Sequence, residues 1–148
     1  MIIKEARVED IQLWVDMRSK LWPETADQHI GELQEYFNGE SIDIEQAYLL
    51  CLEEGHVIGF IELNIREFAE GSRHPRVPYV EGWFVEEAYQ GLGGGAMLMA
   101  IAEKWAKGRG FGELASDTET TNTKSIAIHE KLGFVETERV VCFLKKLK

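Results

Sequence analysis

The stretch Gln90-Gly91-Leu92-Gly93-Gly94-Gly95-Ala96 places four glycines within five positions, between an apolar run and a segment with helical spacing. So much bare backbone suits one kind of chemistry. A glycine turn entering a helix presents unpaired main-chain N–H groups and the positive end of the helix dipole, which together make a seat for phosphate. Gly91-x-Gly93-x-x-Ala96 formally satisfies the dinucleotide fingerprint, yet only about a third of the chain follows it, too little for the rest of a dinucleotide fold. No Gly-Lys-Ser/Thr is present, which argues against a nucleoside-triphosphate P-loop. The same glycines would also let a strand and a helix pack closely, and spacing alone leaves both uses open. The two cysteines add no second centre: Cys51 and Cys142 lie in apolar strand-like runs without CxxC spacing or a nearby histidine cluster, and are expected to be buried free thiols.

The elements that must position this turn can be read along the chain. Ile2 to Glu5 fits a short strand, and Ile11, Trp14 and Val15 mark a helix from Val8 to about Lys20, ended by Pro23. A second helix is expected from Ala26 to Phe37, stopping at Asn38-Gly39. AYLLCLEEGHVIGFIELNIR reads as two strands joined at Glu54-Gly55, and residues 67 to 78 as a loop. Tyr79 to Val85 is the strand before the glycines, which open a helix running to about Arg109. Glu113 to Asp117 follows as a strand, then a short helix capped by Asn122 and ended at Leu132-Gly133, the glycine suiting a left-handed terminal position. Strands near Val135 to Glu138 and Val140 to Lys146 complete the pattern, an α+β fold with a sheet that mixes parallel and antiparallel pairs.

At 148 residues, without linker, repeat or low-complexity segment, residues 1–148 are expected to form one domain. Sixteen Lys and Arg against 26 Asp and Glu give a formal charge of −10, with the acidic residues scattered along the chain. That balance argues against a nucleic-acid partner and leaves room for a cationic one, although it serves solubility equally well. Met-Ile-Ile-Lys-Glu opens no basic-then-apolar leader, and no run of about 18 apolar residues occurs, so a cytoplasmic protein with no membrane segment is expected.

Gln90-Gly91-Leu92-Gly93-Gly94-Gly95 resembles the Q/R-x-x-G-x-G/A signature of the Gcn5-related N-acetyltransferases, and the surrounding elements follow that family's order. Asn122 and His129-Glu130-Lys131-Leu132-Gly133-Phe134 are similar to its late asparagine and its Y-E-K-L-G-F helix end. Within the family, Leu21-Trp22-Pro23, Val80-Glu81-Gly82, Ala115-Ser116-Asp117-Thr118 and Glu136-Thr137-Glu138-Arg139-Val140 resemble the aminoglycoside 6'-N-acetyltransferases with short, dimeric chains. The resemblance implies a mixed sheet of about six to seven strands, splayed between its two middle parallel strands and flanked by about four helices. It implies transfer of acetyl from acetyl-CoA to the 6'-amine of a cationic aminoglycoside in a ternary complex, a resistance activity, by a homodimer that needs no metal. An acetyltransferase for another small polyamine or amino-sugar, and a non-catalytic acyl-CoA-binding module, are the competing readings.

The site residues follow from that resemblance together with the chemistry of acyl transfer. Trp83, Phe84 and Val85 would pair their main chain with the pantetheine arm, one N–H polarising the thioester carbonyl, while Gly91, Leu92, Gly93, Gly94, Gly95 and Ala96 hold the pyrophosphate. Asn122 would hydrogen-bond the cofactor, cap its helix, or do both. An ammonium must lose a proton before it can attack a thioester, so carboxylates are needed at the strand ends. Glu81 is expected to be the base, through a water, with Asp117 binding the amine or sharing that duty. Trp22 and Glu138 match positions that line the acceptor pocket. Where many relatives have a tyrosine acid stands His129, which leaves the identity of the acid open. Phe68-Ala69-Glu70-Gly71 also departs from the branch's aromatic and Asn-Gly turn, so the preferred aminoglycoside stays open.

Overall fold

The computed structural model describes residues 1–53 and 55–148. Its sheet has five strands in the order β1 (Ile2–Glu5), β2 (Gln46–Cys51), β3 (Val57–Arg66), β4 (Val77–Val85) and β5 (Ala115–Ser116). All neighbours are antiparallel except β4 and β5, which run parallel. Four helices accompany them: α1 (Ile11–Leu21), α2 (His29–Phe37), α3 (Gly94–Gly108) and α4 (Thr123–Lys131). The result is the α+β architecture expected from the sequence, with a smaller sheet.

β3 sits in the middle of the sheet because it is apolar on both faces. Its first eight residues, Val57 to Asn64, are all buried. One face packs Trp14, Met17, Leu33 and Phe60 beneath α1 and α2; the other packs Ile58, Ile61, Leu98, Met99 and Ala102 beneath α3. Burying a side chain of this size is worth about 1.5–3 kcal/mol. The helix pair face also carries charge. The fully buried Glu62 carboxylate accepts from Trp14 Nε1 at 2.9 Å and from Arg18 Nε and Nη2 at 2.8 and 3.1 Å. Arg18 Nη1 reaches Glu32 at 2.7 Å and His29 Nδ1 at 3.3 Å. Because Nδ1 accepts there, the His29 proton sits on Nε2 and is donated to the Trp22 carbonyl at 3.0 Å.

Several boundaries shift for local reasons. Val8–Asp10 forms a 3-10 turn before α1, with Asp10 accepting from the Arg7 N–H and from Lys4. Pro23–Gln28 forms another, broken at Thr25, so α2 starts three residues later than Ala26. The strand expected over Glu113 to Asp117 shortens to Ala115–Ser116, because only Tyr79 and Val80 of β4 pair with it. Of the expected hairpin turn, Glu54 lies outside the described residues and Gly55 has φ 81°.

The last fourteen residues overturn a larger expectation. Residues 135–148 enter no ladder, so the sheet has five strands rather than six or seven. A strand exists only through its neighbour, and the nearest edge, β5, is two residues long. The arm holds Val135, Val141, Phe143, Leu144 and Leu147 at 78–91% exposure. Cys142, expected to be buried, is exposed with them, while Cys51 is a buried free thiol.

Candidate active site

The parallel ladder between β4 and β5 ends at Val80 and Ser116. Beyond that pair the two strands part, and among the described residues no strand covers the β5-facing edge of residues 81–85. Glu81, Trp83, Phe84 and Val85 lie on β4 beyond the ladder, Asp117 directly follows β5, and the glycine turn follows β4 before α3.

On one side stands the glycine turn. Gln90 ties it to the end of β4, its Nε2 donating to the Val85 carbonyl at 2.8 Å, while Lys124 Nζ donates to Gln90 Oε1 at 2.5 Å. Gly91 and Gly93 have φ of 80° and 91°, and α3 begins directly after Gly93. A Cβ at either position would be strained, yet would meet nothing within 4 Å, so the turn opens onto space that side chains would fill. Such a cradle of N–H groups at a helix start fits a pyrophosphate. Trp83 braces it, donating from Nε1 to the Gly95 carbonyl at 3.1 Å. Asn122 caps α4 by accepting from Ser125 N at 3.1 Å, and Gly133 takes the left-handed φ of 97° after that helix.

On the other side a β-bulge aims Glu81. Glu62 pairs with Gly82 and Leu63 with Val80, so Glu81 is the extra residue of β4. Alternation would otherwise set Glu81 and Gly82 on opposite faces. Instead both look toward the helix pair: Glu81 borders a cavity it shares with Trp22, and a Cβ on Gly82 would come within 2.6 Å of the Trp22 ring. Val80 and Trp83 face α3. The cavity, of ≈ 160 Å³, is also lined by Glu32, Glu35 and Asp43. Trp22 is held there by Phe60, by the Arg18 guanidinium 5.0 Å from its ring and by the His29 bond to its carbonyl.

Glu81 and Asp117 belong to one chain of contacts. Arg66 grips Glu81 with Nε at 2.7 Å and Nη2 at 2.5 Å, and Asn64 Nδ2 adds a donor at 3.2 Å. The guanidinium lies 3.6 Å from the Tyr79 ring centre, and Tyr79 donates its hydroxyl to Asp117 at 2.8 Å. The bond from Glu81 raises the Arg66 pKa, and burial, reinforced by Asp117, raises that of the Tyr79 phenol. Arg66, Tyr79 and Asn64 were not singled out in the sequence, where Arg66 stands fifteen positions from its partner with no motif around it. His129 is packed edge-on between Trp83 and Phe134. Its Nδ1 donates to the Ser125 carbonyl at 2.8 Å, leaving Nε2 to accept from Ser116 Oγ at 2.8 Å. Glu138 lies on the exposed arm that follows α4, outside both strands of the fork.

A strand fork with a glycine cradle on one side and carboxylates on the other defines an acyl-CoA-dependent acetyltransferase, and residues 12–134 match the model of the acetyltransferase (GNAT) family. The chain belongs to that family. Within it, the chain is 36% identical over 147 residues to an aminoglycoside N(6')-acetyltransferase type 1 of Klebsiella aerogenes, covering 99% of this chain and 97% of the relative. The fold is similar to that of the apo aminoglycoside 6'-N-acetyltransferase AAC(6')-IG from Acinetobacter haemolyticus, with TM-score 0.88 and 34% identity over the whole of both chains. It is equally similar to AAC(6')-Iy in complex with the bisubstrate analogue CoA-S-monomethyl-acetylneamine, with TM-score 0.89 and 30% identity over 99% and 98% of the two chains.

Proposed function

We propose that this chain is an aminoglycoside 6'-N-acetyltransferase, moving acetyl from acetyl-CoA to the 6'-amine of the drug by direct attack in a ternary complex and so conferring resistance. The observation that carries this reading is the full-length match, in sequence and fold, to enzymes of that name. In this assignment residues 1–148 act as one catalytic domain. Acetyl-CoA supplies an acetyl group activated as a thioester. The amides of Gly91 through Ala96 hold its pyrophosphate, and Asn122 a polar group of its arm. The edge of Trp83, Phe84 and Val85 that faces away from β3 lines the pantetheine and gives an N–H to the thioester carbonyl.

Glu81 is the base. It takes up the proton through a water, and before the acceptor arrives Arg66 holds both its oxygens. Asp117, across the fork and held by the Tyr79 hydroxyl, binds the amine or shares that duty. Trp22 forms the apolar wall of the acceptor site. The decisive experiment is mass spectrometry of kanamycin and tobramycin incubated with the enzyme and acetyl-CoA, locating the acetyl group on the product. Acetylation of spermidine alone would sink the reading. Glu81→Gln should lower kcat about 10²- to 10⁴-fold with acetyl-CoA binding retained.

The enzyme works in the cytoplasm as a homodimer. What supports the dimer is the arm of residues 135–148, strand-like in sequence, apolar and uncovered. A second copy would supply the missing neighbour, and the assembled arms would bring Glu138 to the acceptor pocket. No described helix is long and apolar enough to cross a membrane. Light scattering on the full chain and on a chain ending at residue 139 tests the assembly, since only the former should be dimeric.

A further inference from the structure

Arg66 is out of place in a site that receives cations. Its fork fills both oxygens of Glu81, at 2.5 and 2.7 Å, so the carboxylate expected to meet an incoming ammonium already holds a positive partner. The pairing is bidentate and charge-assisted, the stronger kind of ion pair. It is also accessible: the Arg66 side chain is 39% exposed, against 19% for Glu81. When released, the guanidinium keeps a resting place on the Tyr79 ring, 3.6 Å away.

We propose that Arg66 is a resident cation on Glu81 which the acceptor must displace, and that this exchange makes the site select acceptors bearing several ammonium groups over monoamines. The inference rests on the acetyl-transfer reading above and concerns its substrate range. A lone ammonium offers Glu81 a compact point charge in exchange for a planar fork, which is an unfavourable trade. A polyammonium acceptor offsets that loss elsewhere. Asp117 lies one contact beyond Tyr79, and Glu35 and Asp43 line the cavity that Glu81 borders, where Arg18 already pairs with Glu32. Arg66 is thus a specificity-setting residue that repels small amines without touching the cofactor cradle.

The test compares kcat/KM for tobramycin with that for the monoamine 6-amino-6-deoxyglucose, at saturating acetyl-CoA, in wild type, Arg66→Met and Arg66→Lys. Arg66→Met should raise the monoamine value by about tenfold or more, the worth of one charge-assisted pair, and the tobramycin value by much less. Arg66→Lys, which keeps the charge and loses the fork, should fall between. Millimolar guanidinium chloride should compete with the monoamine in Arg66→Met and leave wild type unaffected, a response that a purely structural arginine would not give. An unchanged ratio of the two values in the variants overturns the proposal, as does an equal loss on both acceptors. Should Arg66→Met fail to fold, the ratio in Arg66→Lys decides alone. A wild type that acetylates neither amine but binds acetyl-CoA overturns the transferase reading itself, and this proposal with it.

Discussion

The two sides of the β4 and β5 fork are built by opposite rules. The cradle side is main chain: Gly91 and Gly93 in left-handed conformations, a helix start, and open space where side chains would be. The carboxylate side is almost all side chain, with Glu81, Arg66, Tyr79 and Asp117 in one run of contacts and Glu62, Arg18, His29 and Trp22 in another. A backbone site depends on a few consecutive residues. A side-chain site depends on partners far apart in the chain, each fixed by another, and a lost member leaves a buried charge unmatched.

Substitutions on the two sides should therefore differ in kind as well as in size. Arg18→Met removes two of the three donors that hold the buried Glu62, and should cost about 3–5 kcal/mol of unfolding free energy by denaturant titration. Adding Glu62→Leu should recover part of that loss, short of the cost of leaving the buried Trp14 N–H without its acceptor, while acetyl-CoA affinity by calorimetry stays near wild type throughout. Gly82→Ala drives a Cβ to 2.6 Å from the Trp22 ring, and should cost about 1–3 kcal/mol and raise the acceptor KM alone. Gly93→Ala forces a side chain into a φ of 91°, and should cost about 1–2 kcal/mol and raise the acetyl-CoA KM alone. If either glycine variant raised both KM values together, the division between the two sides would fail. Asn122→Ala removes the cap from Ser125 N and should lower stability by about 1 kcal/mol, read as a shift in thermal midpoint. A rise in acetyl-CoA KM in the same variant would give Asn122 its second role.

The same contrast explains what the sequence disclosed. The cradle, the Asn122 cap and the Gly133 terminus are local, and consecutive residues announce them. The strands β2, β3 and β4 were legible because their apolar runs are long. The bulge at Glu81 was not, since it is a register slip between β3 and β4 that neither strand shows alone. Arg66 was missed because its meaning lies fifteen positions away, and Arg18 because Glu62 lies 44 positions away. The strands expected over residues 135–148 did not form, because a strand-like pattern carries no neighbour of its own. Trp22 was singled out through a resemblance. What holds it in place, the arginine above its ring and the histidine at its carbonyl, only the fold could show.

The uncovered arm has a consequence for how the molecule matures. If residues 135–148 find their neighbour only on a second copy, the last stage of folding is bimolecular. Refolding should then show a slow phase whose rate rises with protein concentration, following a faster phase that does not. On that assembly each newly made chain would carry Phe143, Leu144 and Leu147 in water, at the 84–91% exposure they have in the single chain, until a second copy covered them. Such a chain is adhesive to other unpaired strands, so dilute expression and prompt pairing would compete with aggregation for the same surface.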